Sequence, residues 1–153
     1  MRPTKPGPLA GIVVVVALLT WLVVRQFYAE LPVIPWTAIP TVLLLALGEA
    51  YAGYMTRARI ARRPGTKPVE PLAVARLAAF AKASAYVGSV FAGVFAGFAL
   101  YTVSLLSRTT PRGEFFVSVG SFVTFVVLVG AALYLEYGCR IPKDPEKGRQ
   151  SPK

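Results

Sequence analysis

The stretch from Ala78 to Leu106 reads AAFAKASAYVGSVFAGVFAGFALYTVSLL and carries a single charged residue, Lys82. A helix that spans a bilayer needs roughly 20 apolar residues, so this stretch predicts a transmembrane helix. Further apolar stretches lie at about 8–24, 34–54 and 115–134. Together they predict an all-α integral membrane protein, a four-helix bundle with one span for each stretch.

The overall composition supports this class. Hydrophobic residues make up 55% of the 153 residues and charged residues only 16%, whereas about 25% of a soluble domain is charged. An ordinary soluble fold is therefore excluded, and little chain remains for a water-soluble catalytic domain. We expect a single membrane domain over residues 1–141 and a polar, disordered cytoplasmic tail over 142–153.

The distribution of basic residues predicts the orientation. Of the 17 Lys and Arg residues, 14 lie before span one, after span four, or between spans two and three together with Lys82. Only Arg25, Arg108 and Arg112 fall in the other two connections. The positive-inside rule then puts both termini and the loop between spans two and three in the cytoplasm. The net charge of +10 is explained by a lipid bilayer with anionic headgroups as the partner, and not by nucleic acid.

Two residue types that support catalysis are scarce. The chain has no histidine and one cysteine, Cys139. Ser-His-Asp and Cys-His catalytic groups, histidine-ligated metals and an intramolecular disulfide are therefore excluded. Serine–lysine catalysis through Lys82 and Ser84 is not formally excluded, but residues two apart on a helix point to different faces. We expect a protein that is not an enzyme and that has no cofactor.

Two ionisable residues lie within the predicted spans. Glu49 precedes Arg57 by about 12 Å along a helix, and Lys82 lies near the cytoplasmic end of span three. A charge in lipid is costly unless it is paired, hydrated or neutralised. One interpretation is a structural Glu49–Lys82 ion pair between spans two and three, or a Lys82 that reaches the interface. The other is that Glu49 binds a proton or a cationic substrate.

Span three carries small residues at every fourth position, a pattern that lets another helix pack closely. A second ridge of Ser84, Gly88, Ala92 and Ala96 runs beside the first. The partner helix belongs either to the same bundle or to a second copy or another membrane protein. The predicted helix-packing face consists of Ala81, Ala85, Ser89, Gly93 and Gly97.

Charged residues near the predicted cytoplasmic surface suggest a polar platform, made rigid by Pro68 and Pro71. Its expected roles are headgroup contact with ion pairing, or the docking of a partner. Cys139 lies at its edge, where Arg140 would lower the pKa of the thiol or the cysteine would be palmitoylated. The alternative is an incidental cysteine. The platform residues are Arg57, Arg59, Glu70, Arg76, Glu136 and Arg140.

Several of these segments together resemble a known family. They are PTKPGPLAG at Pro3–Gly11, Arg57-Ala58-Arg59 after Glu49, Pro68-Val-Glu-Pro-Leu72, Ala81-Lys-Ala-Ser84 after Arg76, and Glu136-x-x-Cys139-Arg140-x-Pro142. Over residues 3–142 the chain resembles the actinobacterial membrane proteins known as domain of unknown function 3180. The resemblance implies a multi-pass protein in the inner membrane of a high-GC Gram-positive bacterium, encoded near folate-biosynthesis genes. It implies no activity, substrate or catalytic residue.

Two functional hypotheses fit these features. The first is a non-enzymatic accessory or assembly subunit of a membrane complex, based on the small-residue face and the basic cytoplasmic face. The alternative is a small transporter or exporter with Glu49 as its coupling carboxylate. Because four spans are too few to enclose a large path, the transporter would be a homodimer.

Overall fold

The computed structural model of the protein describes Thr4 and residues 6–27, 36–60, 71–105 and 109–139. Within these ranges the chain forms α1 (Pro6–Phe27), α2 (Ala38–Ile60), α3 (Pro71–Thr102) and α4 (Thr109–Gly138). A short 3₁₀ turn, Val103–Leu105, follows α3. No strand occurs in the described part, so the predicted all-α class is confirmed. The predicted tail over 142–153 lies outside the described residues.

Each helix has a proline in its first turn. Pro6 and Pro71 are the first residues of α1 and α3, and Pro40 and Pro111 are the third residues of α2 and α4. Proline is tolerated there because the first backbone N–H groups of a helix have no acceptor within the helix. The prolines therefore define where the helices begin without weakening them.

The helices are longer than the apolar stretches that predicted them. For example, α2 continues past 54 to Ile60, and α3 begins at Pro71, whereas its apolar stretch begins near 78. The reason is that backbone hydrogen bonding does not require apolar side chains, so a helix continues beyond its apolar part. The start at Pro71 is the one that the favoured first position of proline predicts. Within the described ranges, three segments are long and apolar enough to cross a membrane: Pro6–Phe27, Leu72–Leu105 and Gly113–Gly138. Helix α2 is not among them.

Helices α3 and α4 form the central antiparallel pair. Ala81 of α3 shares a core cluster with Leu135, whereas Ala92, further along α3, shares one with Phe125. The ring of Phe125 also stacks on Phe91 and Phe95, with centroid distances of 5.2 and 5.6 Å. Aromatic stacking and small residues together hold this pair at the centre of the fold.

The other two helices flank this pair. Helix α1 packs against α3, and α2 packs against α4. Leu9 of α1 shares a cluster with Ala85, and the later residue Ala17 lies against Gly97, so α1 and α3 are parallel. Helix α2 runs parallel to α4, because Ile39 approaches Gly120 and Gly53 approaches Gly138. The order across the fold is therefore α1, α3, α4, α2, and the helices alternate in direction along the chain.

Residue size separates the inside of the fold from its outside. Many core positions hold small residues, including Ala81, Ala85, Ala92 and Ala132, which are all fully buried. Large apolar side chains point outward instead. Leu44, for example, is 70% exposed. In water such a surface would be very unfavourable, but in a bilayer lipid tails cover it.

Candidate functional site

Glu49 is the one acidic side chain that the described structure buries almost completely. It is 3% exposed, and both of its carboxylate oxygens lack a hydrogen-bond partner. It lies on α2 between two small residues that face α4, Ala46 one turn before it and Gly53 one turn after it. A buried polar group without a partner is costly, so its presence calls for an explanation.

The polar group that approaches Glu49 is the hydroxyl of Ser84 on α3. The two side chains interact electrostatically, but neither Glu49 oxygen reaches the geometry of a hydrogen bond. Such a weak approach does not satisfy a buried carboxylate. Ser84 belongs to the same ridge as Gly88, whose Cβ position would lie 2.9 Å from Val129 of α4. Glu49 therefore reaches across the seam between α3 and α4.

Lys82 does not pair with Glu49. Neither oxygen of Glu49 has a partner, and within the described ranges no ion pair joins these two residues. Lys82 is partly exposed. The expected Glu49–Lys82 pair is therefore not formed. The group of α3 that approaches Glu49 is Ser84, and Lys82, two residues before it on the helix, points to a different face.

The small-residue strip of α3 lies inside the fold. All five of its residues are buried: Ala81, Ala85, Ser89, Gly93 and Gly97. A Cβ on Gly93 would lie 2.8 Å from the carbonyl oxygen of Val13, and one on Gly97 would lie 2.6 Å from that of Ala17. The part of the strip that carries the two glycines is thus where α1 makes its closest approach.

The basic residues of α2 and α3 lie at one end of the fold. Arg57, Arg59 and Arg76 are all exposed, and Arg57 lies over the ring of Tyr137 at 5.6 Å from its centroid. This end also holds the last turn of α4. Two further predicted platform residues, Glu70 and Arg140, lie outside the described residues, as does Pro68.

Glu136 links the beginning of the chain to this end. Its Oε1 accepts a hydrogen bond from the backbone N–H of Thr4 at 2.8 Å. Its Oε2 and the Thr4 hydroxyl are buried without partners. Sequence reasoning selected Glu136 but missed Thr4 and Tyr137. The aromatic Tyr137 beside a charge at a span end is an available signal, whereas nothing in the sequence points to a backbone N–H 132 residues away.

Cys139 is buried and has a free thiol. Burial raises the pKa of this thiol, and the negative charge of Glu136 raises it further. Arg140, whose charge was expected to lower this pKa, lies outside the described residues. Cys139 is buried because it belongs to the core cluster with Ala81 and Leu135.

The described ranges contain no group of three or more His, Cys, Asp or Glu side chains that would hold a metal ion. A family model for a protein of unknown function, DUF3180, matches residues 9–143. The chain belongs to the DUF3180 family. No curated protein and no solved structure matches it. For this DUF3180 protein, the notable features are therefore the unpaired Glu49 and the basic end that carries Arg57, Arg59 and Arg76.

Proposed function

We propose that this DUF3180 protein is a non-enzymatic, four-span accessory or assembly subunit of a bacterial inner-membrane complex. The observation that carries the proposal is its basic end, where Arg57, Arg59 and Arg76 are exposed at the same end of the fold as the Thr4–Glu136 link. The link ties the start of the chain to the last turn of α4. A charged surface on an ordered support is suited to docking a partner.

The packing of α2 supports a fourth span. Helix α2 lies beside α4 from Gly120 to Gly138, a distance of about 27 Å at 1.5 Å per residue. This length nearly equals the hydrocarbon thickness of a bilayer. Because α4 is long and apolar enough to cross, a helix that accompanies it over this distance crosses with it.

The charge distribution supports a cytoplasmic basic end. Thr4, the end of α2, the start of α3 and the end of α4 lie at the same end of the fold, so the positive-inside rule assigns this end to the cytoplasm. A topology test uses single cysteines introduced by Arg59→Cys or Arg25→Cys in a Cys139→Ser background. A membrane-impermeant maleimide should label the first only from the cytoplasmic side and the second only from outside. The reverse pattern would refute the orientation.

The accessory role is tested by co-purification at native expression. A tagged chain in mild detergent should recover a stoichiometric membrane-protein partner, which mass spectrometry identifies. Because the basic end carries the docking, Arg59→Glu with Arg76→Glu should abolish that recovery. The matched control is Arg25→Glu at the opposite end, which should leave recovery unchanged. Isolation of the monomer alone, with crosslinking that finds no neighbour, would overturn the proposal.

A second candidate, a homodimeric transporter or exporter, is favoured by one observation. Glu49 is buried and unpaired, a state found at the coupling carboxylates of ion-driven transporters. In that case proteoliposomes should show proton-driven flux that Glu49→Gln abolishes. Recovery of a stable homodimer without another protein would make this assay the deciding one.

A further inference from the structure

We propose that Glu49 is a reversible proton-binding site inside the helical core, and that its carboxyl group holds a proton in the conformation described here. A carboxylate in an apolar interior is tolerated when it is paired, hydrated or neutral. Among the described residues Glu49 has no ion-pair partner, and both of its oxygens are buried from solvent. Neutralisation by a proton is the remaining state. This inference does not depend on the accessory role proposed above.

None of the described charged side chains on the packed helices compensates Glu49. On α3 the titratable residues nearest in level are Lys82 and Tyr86, and on α4 they are Tyr134 and Glu136. None of them gives a hydrogen bond or an ion pair to Glu49. The charged residues Arg25, on α1, and Arg57, Arg59 and Arg76 lie toward the helix ends.

The small number of oxygen atoms around Glu49 favours a bound proton over a bound metal cation. Cations such as Ca²⁺ take six to eight oxygen ligands, and Mg²⁺ requires six in octahedral geometry. Around Glu49 the described structure supplies its own two oxygens and the approaching hydroxyl of Ser84. A proton needs only one carboxylate oxygen. The neighbouring residues Ala46 and Gly53 are small and contribute no side-chain ligand.

Reversibility has a structural consequence. An ionised Glu49 requires water or a cation at its carboxylate, whereas both of its oxygens are buried without a partner in the conformation described here. Loss of the proton therefore favours a conformation in which α2 separates from its neighbours at this level. The protonation of Glu49 and the packing of α2 against its neighbours are therefore coupled equilibria.

The test uses dicyclohexylcarbodiimide, an apolar reagent that reacts with protonated carboxyl groups. The carboxyl proton moves to a carbodiimide nitrogen while a carboxyl oxygen bonds to the central carbon, and the adduct rearranges to a stable N-acylurea. The full chain in membrane vesicles should gain the mass of one carbodiimide on Glu49. Labelling should fall about tenfold per pH unit once the carboxyl ionises, as for a single titrating group. Fragmentation of the tryptic peptide that begins at Gln26 locates the adduct.

Two variants distinguish a protonated Glu49 from a Glu49 that is ionised by pairing with Lys82. Glu49→Gln should lose the adduct while retaining its expression level and monodispersity. Lys82→Gln should leave the labelling of Glu49 within about twofold, because Lys82 makes no ion pair with Glu49. An increase of about tenfold or more in Lys82→Gln would show that the lysine holds Glu49 ionised, and would overturn the proposal. Absence of a Glu49 adduct from about pH 5 to about pH 8 would also overturn it, provided that the denatured chain is labelled in acid.

Discussion

Gly53 of α2 and Gly138 of α4 face each other, and a Cβ built on Gly138 would lie 2.9 Å from the carbonyl oxygen of Gly53. A backbone oxygen cannot rotate away as a side chain does, so even one methyl group forces the two helices apart. This contact lies one turn from Glu49, on its cytoplasmic side in the proposed topology. The close packing of α2 on α4 therefore depends on the absence of side chains at these two positions.

Gly138→Ala should lower the free energy of unfolding by about 1–3 kcal/mol, the usual cost of overpacking. The measurement is an unfolding titration of the purified protein in mixed detergent. Gly130→Ala on the same helix is the matched control, because its Cβ would meet nothing within 4 Å. Alanine is about 1 kcal/mol better than glycine in a helix, so the control should be neutral or stabilising. Equal effects of the two substitutions would contradict the close approach of α2 and α4.

Gly97→Ala should weaken the contact between α1 and α3. Its Cβ would lie 2.6 Å from the carbonyl oxygen of Ala17 and 2.7 Å from Cβ of Thr20. We expect a loss of about 1–3 kcal/mol and faster proteolysis of α1. Gly11→Ala is the control, since Gly11 has open space around it. If Gly97→Ala were as stable as Gly11→Ala, the strip would not contact α1.

Glu136→Ala should release the start of the chain. A hydrogen bond to a charged acceptor contributes about 1.5–3 kcal/mol, so amide exchange at Thr4 should accelerate about tenfold or more, as measured by mass spectrometry. Glu114→Ala, at the other end of α4, should leave exchange at Thr4 unchanged. A Thr4 amide that exchanges rapidly in the unmutated protein would argue against the link.

Alkylation of Cys139 should be slow at neutral pH and should rise as the solution becomes alkaline. Burial raises the pKa of the thiol above its ordinary value, with Glu136 adding to the effect. The folded state keeps this proton longer than the unfolded state, so the associated stability is present below the unfolded pKa and is lost as pH rises through the folded pKa. Glu136→Gln removes the charge and should speed alkylation at a fixed pH. Alkylation as rapid in the native protein as in the denatured protein would refute this account.

The sequence was sufficient for the helices because apolar length and proline position are local signals. Pro71 begins α3, and the small-residue strip through Gly93 and Gly97 is buried. The sequence could not show which helices pack against each other, because in a membrane protein apolar residues face both lipid and core. The expected Glu49–Lys82 pair assumed that spans two and three pack together, whereas α2 packs mainly on α4 and Glu49 approaches α3 at Ser84, not at Lys82.

The candidate site was also only partly predictable from the sequence. Glu49 was identified from the sequence because an acid within an apolar stretch is rare. Its unpaired state was not predictable, since that depends on the lateral order of the helices. The Thr4–Glu136 link could not be predicted from the sequence either, because its donor is a backbone N–H, a group that every non-proline residue carries.

The lateral order α1, α3, α4, α2 has a consequence for biogenesis. Helices α1 and α2 leave the ribosome first, but each of them packs mainly on a helix from the second half of the chain. At about 5–20 residues per second, α2 waits several seconds for α4 to be synthesised. During that interval Glu49 lacks its final neighbours on α3 and α4. The first two helices are therefore the part of the chain most dependent on the insertion machinery, and a truncation before α4 should be recognised and degraded by membrane proteases.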